Sequence, residues 1–353
     1  MPTMLGKALI ALVLAVPGVA AAAEYQLAEE LEVIGESTVI AARYEDTFVS
    51  LARAHNVGFE ALRRANPDVD EWLPGEGTLI VIPTQFVLPR APRRGIVVNV
   101  AELRLYYFPD ANGRRVITHP ISIGRMDWAT PLGTTSVVGK VANPSWYPPE
   151  SIRAEHLERN DPLPRIVPPG PNNPLGAHAL RLGLPGYLIH GTNKPSGIGM
   201  RVTHGCIRMF PEDIEALYKM VPAGTPVHLV NQPYKLGWGD AGLYLEAHPP
   251  LLELPVVAES STGPENAAPE IAAAQEHAAE QDPRDTERWS ATELTRIFVA
   301  ATEKRRVEVS WESAERVMQA ARGIPEFVSI GSVEPVASEL PQPLAVDNEP
   351  AAL

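Results

Sequence analysis

The stretch "HGTNKPSGIGMRVTHGCIRM", residues 190–209, gathers the side chains of this chain that could do chemistry. It holds the single cysteine, Cys206, with His190 and His204 before it and Arg208 after it. Three uses compete for that thiol. As packing, a small buried cysteine is ordinary, but packing does not call for Thr203, His204 and Gly205 in series before it. As a zinc ligand, Cys206 could join His190 and His204. A structural site takes four protein ligands, however, and His178 or His228 would have to complete it from no familiar spacing. As a nucleophile, Cys206 needs a base to share its proton, a group to orient that base, and donors for an oxyanion. Each of these lies nearby.

His190 ends the strand-like "YLIH", and the carbonyl of Gly191 is one candidate to hold its tautomer. Gly205 and Cys206 precede a helix candidate, so their amides can point into a turn where a negative oxygen develops. A histidine paired with Cys206 would raise its thiolate share at neutral pH. Arg208 lies two residues on and, in an extended segment, shares a face with Cys206. It could hold a substrate carboxylate; the competing use is a salt bridge to Glu212 or Asp213.

The elements that must position these groups are short strands. "GIVVNV" and "LRLYYF" alternate apolar and polar residues, "DANGRR" reads as a tight turn at Asn112–Gly113, and "VITHPISIG", "SVVGKVANP" and "TPVHLV" are strand-like. Glycine and proline punctuate nearly every interval. The spacing predicts a mostly β domain over 95–231 with one clear helix at 211–220, whose Ile214, Leu217 and Tyr218 face inward. Residues 143–174 form a proline-rich insertion in which Trp146 and Tyr147 could cover a cleft or simply pack the loop down. The loop 192–203, with Asn193, reads as irregular. Its "GIG" lacks the strand and spacing of a phosphate cradle, and no cofactor or metal is implied.

Upstream, residues 38–89 read as strand, helix, helix, strand, with Phe48, Leu51 and Ala52 on one helix face and Phe59, Leu62 and Arg63 on the next. Downstream, 258–283 reads as a linker, 286–330 as a small helical region with Trp311, Ala314, Val317 and Met318 on one face, and 331–353 as a disordered tail. At the start, Lys7, the apolar run 8–16 and the small residues Ala21–Ala23 have the order of an export signal over 1–23. That run is too short to span a bilayer comfortably. The net charge of −13 argues against a nucleic-acid partner, and one cysteine permits no internal disulfide.

The combined pattern His190–Gly191, a loop, then Thr203–His204–Gly205–Cys206–Ile207–Arg208 resembles the signature of the L,D-transpeptidase catalytic domain, the YkuD-like fold. "ISIG", "TPLG" at 130–133 and "NPLG" at 173–176 match further positions of that family. Residues 38–89 resemble a LysM module, on Asp46–Thr47, Leu51–Ala52, Val57, Leu62, Asn66–Pro67, Leu73–Pro74–Gly75 and Ile82–Pro83. They depart from that pattern at Ile40–Tyr44. The resemblance implies a β-sandwich catalytic domain, a β-α-α-β glycan-binding module and a helical C-terminal appendage. It implies a periplasmic enzyme of cell-wall biogenesis whose partners are peptidoglycan stem peptides and glycan strands. By the same resemblance Cys206 attacks a tetrapeptide stem with His190 as base, D-alanine leaves, and an amine resolves the thioester. The acceptor is a second stem peptide or, in relatives of this layout, the lysine of an outer-membrane lipoprotein. His204 then shapes the pocket. A carboxypeptidase or endopeptidase of the cell wall, a non-catalytic peptidoglycan-binding protein, and a zinc hydrolase remain as alternatives.

Overall fold

The computed structural model describes residues 23–28, 30–125, 130–251, 283–303 and 305–335. The expected signal up to residue 22, the linker up to residue 282 and the tail beyond 335 lie outside the described residues. In chain order the first elements are β1 (Ala23–Gln26), β2 (Val33–Ile34), β3 (Thr38–Ala41), α1 (Phe48–Ala54), α2 (Phe59–Ala65), β4 (Leu79–Ile82) and β5 (Phe86–Val87). Next come β6 (Gly95–Asn99), β7 (Arg104–Phe108), β8 (Arg115–Pro120), β9 (Ile123–Gly124), β10 (Gly133–Ala142), α3 (Glu150–Glu158), β11 (His178–Leu182) and β12 (Leu188–His190). They are followed by β13 (Arg201–Thr203), β14 (Ile207–Arg208), α4 (Pro211–Met220) and β15 (Pro226–Val230). The last elements are β16 (Tyr234–Gly239), β17 (Gly242–Ala247), α5 (Pro283–Thr302), β18 (Arg305–Val309), α6 (Trp311–Ala320), β19 (Glu326–Phe327) and β20 (Ser329–Pro335).

One sheet carries the site. Its strand order is β1-β8-β7-β6-β15-β10-β11-β12-β14. The expected sandwich is instead a curled, largely β half-barrel, and β10 supplies the physical reason. Its residues 133–136 pair with β15 and residues 137–142 pair with β11, with a register break between Val137 and Gly139. A bulge in a strand shared by both halves bends a sheet instead of splitting it in two. The concave side encloses Ile96, Leu105, Leu180, Ile189 and Ile207 together with Ile214 and Leu217 of α4. The alternation expected of half-solvated strands fails in β6 and β7, which are buried throughout. Their second face lies under a further cluster of Leu27, Ile34, Phe86, Val97, Tyr106 and Phe108, so both faces are dry.

Residues 38–82 adopt the strand, helix, helix, strand order. β3 pairs antiparallel with β4, and Phe48, Leu51, Phe59, Leu62, Ile80 and Ile82 make a local core. Thr47 and Ser50 form a capping box on α1. Ala65, not Arg63, takes the last buried place on α2; Arg63 reaches outward to Glu60. The segment is not set apart from the rest. Its α1–α2 turn is hydrogen-bonded to residues 198–199 and 213, and the Val87 amide just beyond it donates to Glu246 Oε2 at 2.6 Å.

The C-terminal part holds its expected helices, but strands accompany them. β16, β17 and β19 form a small sheet on which Leu294, Ile297, Phe298, Ala314 and Val317 of α5 and α6 pack. Trp311 is half-exposed and packs at a tilt against Phe298, ring centroids 5.0 Å apart. Residues 331–335, expected to begin a disordered tail, belong to β20, which pairs with β18. β18, β19 and β20 escape local patterning because each is completed by a partner distant in sequence, whereas β16 and β17 form a hairpin across residues 240–241. No helix among the described residues is long and apolar enough to cross a membrane.

Candidate active site

Two short strands bring the motif together. β12 and β14 run parallel, with Ile189 opposite Ile207 and His190 opposite Arg208. Cys206 thereby enters the sheet beside Leu188. On the other side of β14, Arg208 exchanges both backbone hydrogen bonds with Ser122, at 2.8 and 2.9 Å. Gly205 turns the chain into this strand at φ +96°, a conformation that glycine adopts freely. Thr130 Oγ1 donates to the Gly205 carbonyl at 2.9 Å, and Thr203 Oγ1 donates to the Cys206 carbonyl at 2.6 Å. The backbone around the thiol is thus pinned on both sides.

His190 is buried, and its Nδ1 lies 2.6 Å from the Gly191 carbonyl. A carbonyl only accepts, so Nδ1 carries the hydrogen and Nε2 keeps its lone pair. Burial, followed by the charge of Arg208, drives the imidazole pKa down to about 3, against the pull of the Gly191 and Leu175 carbonyls. The Cys206 sulfur lies 3.6 Å from the Gly186 carbonyl. Burial pushes its thiol up, with the Leu188 amide and Arg208 acting in the opposite direction. Both shifts run against the expectation of an enriched thiolate. The cause is desolvation, which disfavours either charged form.

Arg208 does not form the salt bridge that competed for it. Glu212 is held by Arg53 in a two-pronged pair, and Asp213 accepts from Asn56. The guanidinium lies beside Cys206, and among the described residues its buried Nε has no hydrogen-bond partner. Asn193 lies exposed on the loop that follows His190.

The insertion 143–174 contains a helix that the sequence reading did not see. From α3, Glu155 reaches His204 Nε2 at 2.8 Å and Arg125 at 3.0 and 3.2 Å, and Arg159 at 2.6 Å. Hydrogen bonds from Arg125 and His204 hold the Glu155 carboxyl down at about 2. The i,i+4 pair Glu155–Arg159 in "AEHLER" was the available signal. Trp146 pairs its backbone with Val167 at 2.9 Å in both directions, and Tyr147 is exposed. Among the described residues no hydrogen bond joins either to Cys206.

A second missed residue is Asn173, in the motif "NPLG". It is fully buried, and its Nδ2 donates to the carbonyls of Pro144, Val167 and Pro168 at 2.9, 3.2 and 3.1 Å. Its Oδ1 accepts from Leu175 N at 2.9 Å. Asn173 therefore ties both ends of the insertion to the Leu175–Gly176 turn, which backs the His190–Gly191 peptide: a Cβ on Gly176 would sit 2.8 Å from Thr192 N.

The four histidines weighed for zinc are engaged separately. His204 is on Glu155 and His190 on Gly191, His178 packs at a tilt against the Tyr218 ring with centroids 4.7 Å apart, and His228 meets Thr134 at 3.2 Å. Among the described residues, donor atoms converge at Glu102, Glu246 and His248. There the Lys235 ammonium bridges the two carboxylates at 2.5 and 3.0 Å and already supplies the positive charge.

Residues 93–229 match the family described as the L,D-transpeptidase catalytic domain, YkuD. Probable L,D-transpeptidase YcfS of Escherichia coli (strain K12) is 47% identical over 209 residues, 58% of this chain and 65% of that protein. Probable L,D-transpeptidase YbiS of the same strain is 45% identical over 202 residues, 57% of this chain and 65% of that protein. The match thus spans just under two thirds of either relative. Probable L,D-transpeptidase ErfK/SrfK of Salmonella typhimurium (strain LT2) is 41% identical over 227 residues, 63% of this chain and 73% of that protein. With this coverage and this site, the chain belongs to the L,D-transpeptidase family and carries its YkuD catalytic domain.

Proposed function

We propose that the protein is a peptidoglycan L,D-transpeptidase working through a thioester on Cys206. The observation that carries this reading is the parallel β12–β14 register, which sets the His190–Gly191 pair beside Cys206–Arg208 with the His190 tautomer fixed. Starting from a neutral pair, Cys206 Sγ attacks the carbonyl of the third residue of a tetrapeptide stem while His190 Nε2 takes the thiol proton. The S–C bond forms, the C–N bond to D-alanine breaks, and the imidazolium returns its proton to the departing amine. Backbone amides at Gly205 and Cys206 would face the oxyanion. Arg208, whose local carboxylates are engaged elsewhere, suits a substrate carboxylate. His204 and Thr203 shape the pocket by holding α3 and the cysteine backbone; Asn193 is available to a stem peptide, and Trp146 and Tyr147 cover the cleft when substrate is bound. An amine then resolves the thioester: the diaminopimelate side chain of a second stem gives a 3→3 cross-link, and a lipoprotein lysine gives attachment.

The segment 38–89 is read as a LysM-like glycan-binding module and the location as periplasmic. The strand, helix, helix, strand order and the export-like start favour these readings.

The test is incubation of the full protein with disaccharide-tetrapeptides, followed by mass spectrometry of products and intact enzyme. Loss of D-alanine with a covalent adduct on Cys206 is expected, and Cys206→Ala should abolish both while sacculus binding persists. D-alanine release that survives in Cys206→Ala would sink the mechanism. A shortened monomeric peptide without cross-link would favour the carboxypeptidase reading.

A further inference from the structure

The α1–α2 turn reaches the chain on both sides of the Thr203–Arg208 segment. Upstream, the Phe59 and Glu60 amides donate to the carbonyls of Ile198 and Gly199, each at 3.2 Å. The first amides of a helix lack intrahelical partners, and α2 has no side-chain cap; loop carbonyls supply this one. Backbone meets backbone there: a Cβ on Gly58 would lie 2.9 Å from Gly199 Cα, and a Cβ on Gly199 only 2.3 Å from Gly58 Cα. This contact accounts for Gly199, the second glycine of the "GIG" triplet that no phosphate cradle explained. Met200, next in the loop, packs on the core of α1 and α2. Downstream, Arg53 Nε and Nη2 bind the two Glu212 oxygens, each at 2.9 Å. Asn56, in the left-handed region at φ +52°, offers its amide to both Asp213 oxygens at 3.0 and 3.2 Å. Residues 53–60, the turn with the adjoining helix ends, therefore grip residues 198–199 and 212–213, and Cys206 hangs between the two grips.

We propose that Arg53 and Gly58 are positioning residues for the Cys206 reaction, acting through the 198–213 segment and independently of any glycan bound to residues 38–89. The inference rests on the reading of Cys206 as the nucleophile. Reactivity of a bound pair is steep in placement, and a shift of about 1 Å can cost roughly 100-fold. The turn is sequence-distant from the cysteine, yet it fixes both ends of the peptide that carries it.

Gly58→Ala isolates the effect. Gly58 sits at φ −79°, ψ 149°, open to any L residue, so the added methyl brings no backbone strain. It must instead open the contact with Gly199 by about half an ångström. The full chain is compared with Gly58→Ala by D-alanine release from a disaccharide-tetrapeptide, with kcat and KM resolved, and by the rate of Cys206 alkylation with iodoacetamide. A kcat loss of roughly tenfold with KM held within about twofold is expected, alongside a change in alkylation rate. Asp68→Asn, exposed on the same segment, should leave both unchanged. Unaltered kcat and alkylation in Gly58→Ala, or an equal loss in Asp68→Asn, would overturn the proposal. If Gly58→Ala does not fold, charge reversal decides: Arg53→Glu should lower kcat and adding Glu212→Arg should restore it, whereas absence of rescue overturns the positioning role. If the wild-type chain releases no D-alanine, the activity reading fails, and the alkylation rates alone judge whether the turn places the thiol.

Discussion

Replacing Asn173 tests whether the insertion is tied to the histidine through one buried amide. The side chain is fully buried and engages three carbonyls and one amide. Alanine would leave the Leu175 N–H and the carbonyls without this partner in a dry site. A buried unsatisfied donor costs about 1–3 kcal/mol, and each lost hydrogen bond about 1 kcal/mol, so Asn173→Ala should destabilise by roughly 3 kcal/mol. Asn173→Asp sharpens the test. It keeps an acceptor for Leu175 N but points carboxylate oxygens at three carbonyl oxygens, which raises the folded-state pKa of the new acid above its unfolded value. The charged form is then the costly one, so the loss should exceed that of alanine at pH 7 and shrink as pH falls through the folded pKa. Urea unfolding of both variants at pH 7 and pH 5, with kcat on the same samples, reads the ordering. Because Leu175 and Gly176 back the His190–Gly191 peptide, kcat should fall in both. A loss below about 1 kcal/mol for alanine, or an aspartate variant milder than alanine at pH 7, would refute the argument.

Two further outcomes follow from the electrostatics. Burial raises the Cys206 thiol, so iodoacetamide alkylation of the free enzyme should climb steadily from pH 6 to 9; a plateau at neutral pH would reveal a resting thiolate and contradict the neutral pair. The Glu155 carboxyl is held down at about 2 from an ordinary value of 4.5, so its stabilisation is complete above the ordinary value and lost as pH falls through the lower one. Glu155→Gln should therefore melt below wild type at pH 6, by roughly 1 kcal/mol after screening in this partly solvated cluster, and the gap should close between pH 4.5 and 2. An unchanged melting temperature at pH 6 would mean that Glu155 does not fasten α3 to His204.

Local signals in the sequence were sufficient for much of this protein. Spacing and punctuation gave α1, α2 and α4, the short strands of 95–231, and the candidate nucleophile with its histidine and glycine, because each depends on residues close in the chain. The Gly191 carbonyl on His190 was legible for the same reason: its donor is the preceding residue. Tertiary structure decided the rest. The bend in β10 depends on two strands that pair with its opposite halves. Among the described residues Arg208 forms no salt bridge, while Arg53 and Asn56, 159 and 157 residues away from their partners, hold Glu212 and Asp213. Glu155 meets His204 across 49 residues. Desolvation raises the Cys206 thiol and lowers the His190 imidazole, and the depth of burial is a property of the whole packed sheet, not of the motif. Near-neighbour spacing encodes which groups are present and which elements carry them; their charges and mutual placement come from surroundings that exist only after distant segments have packed.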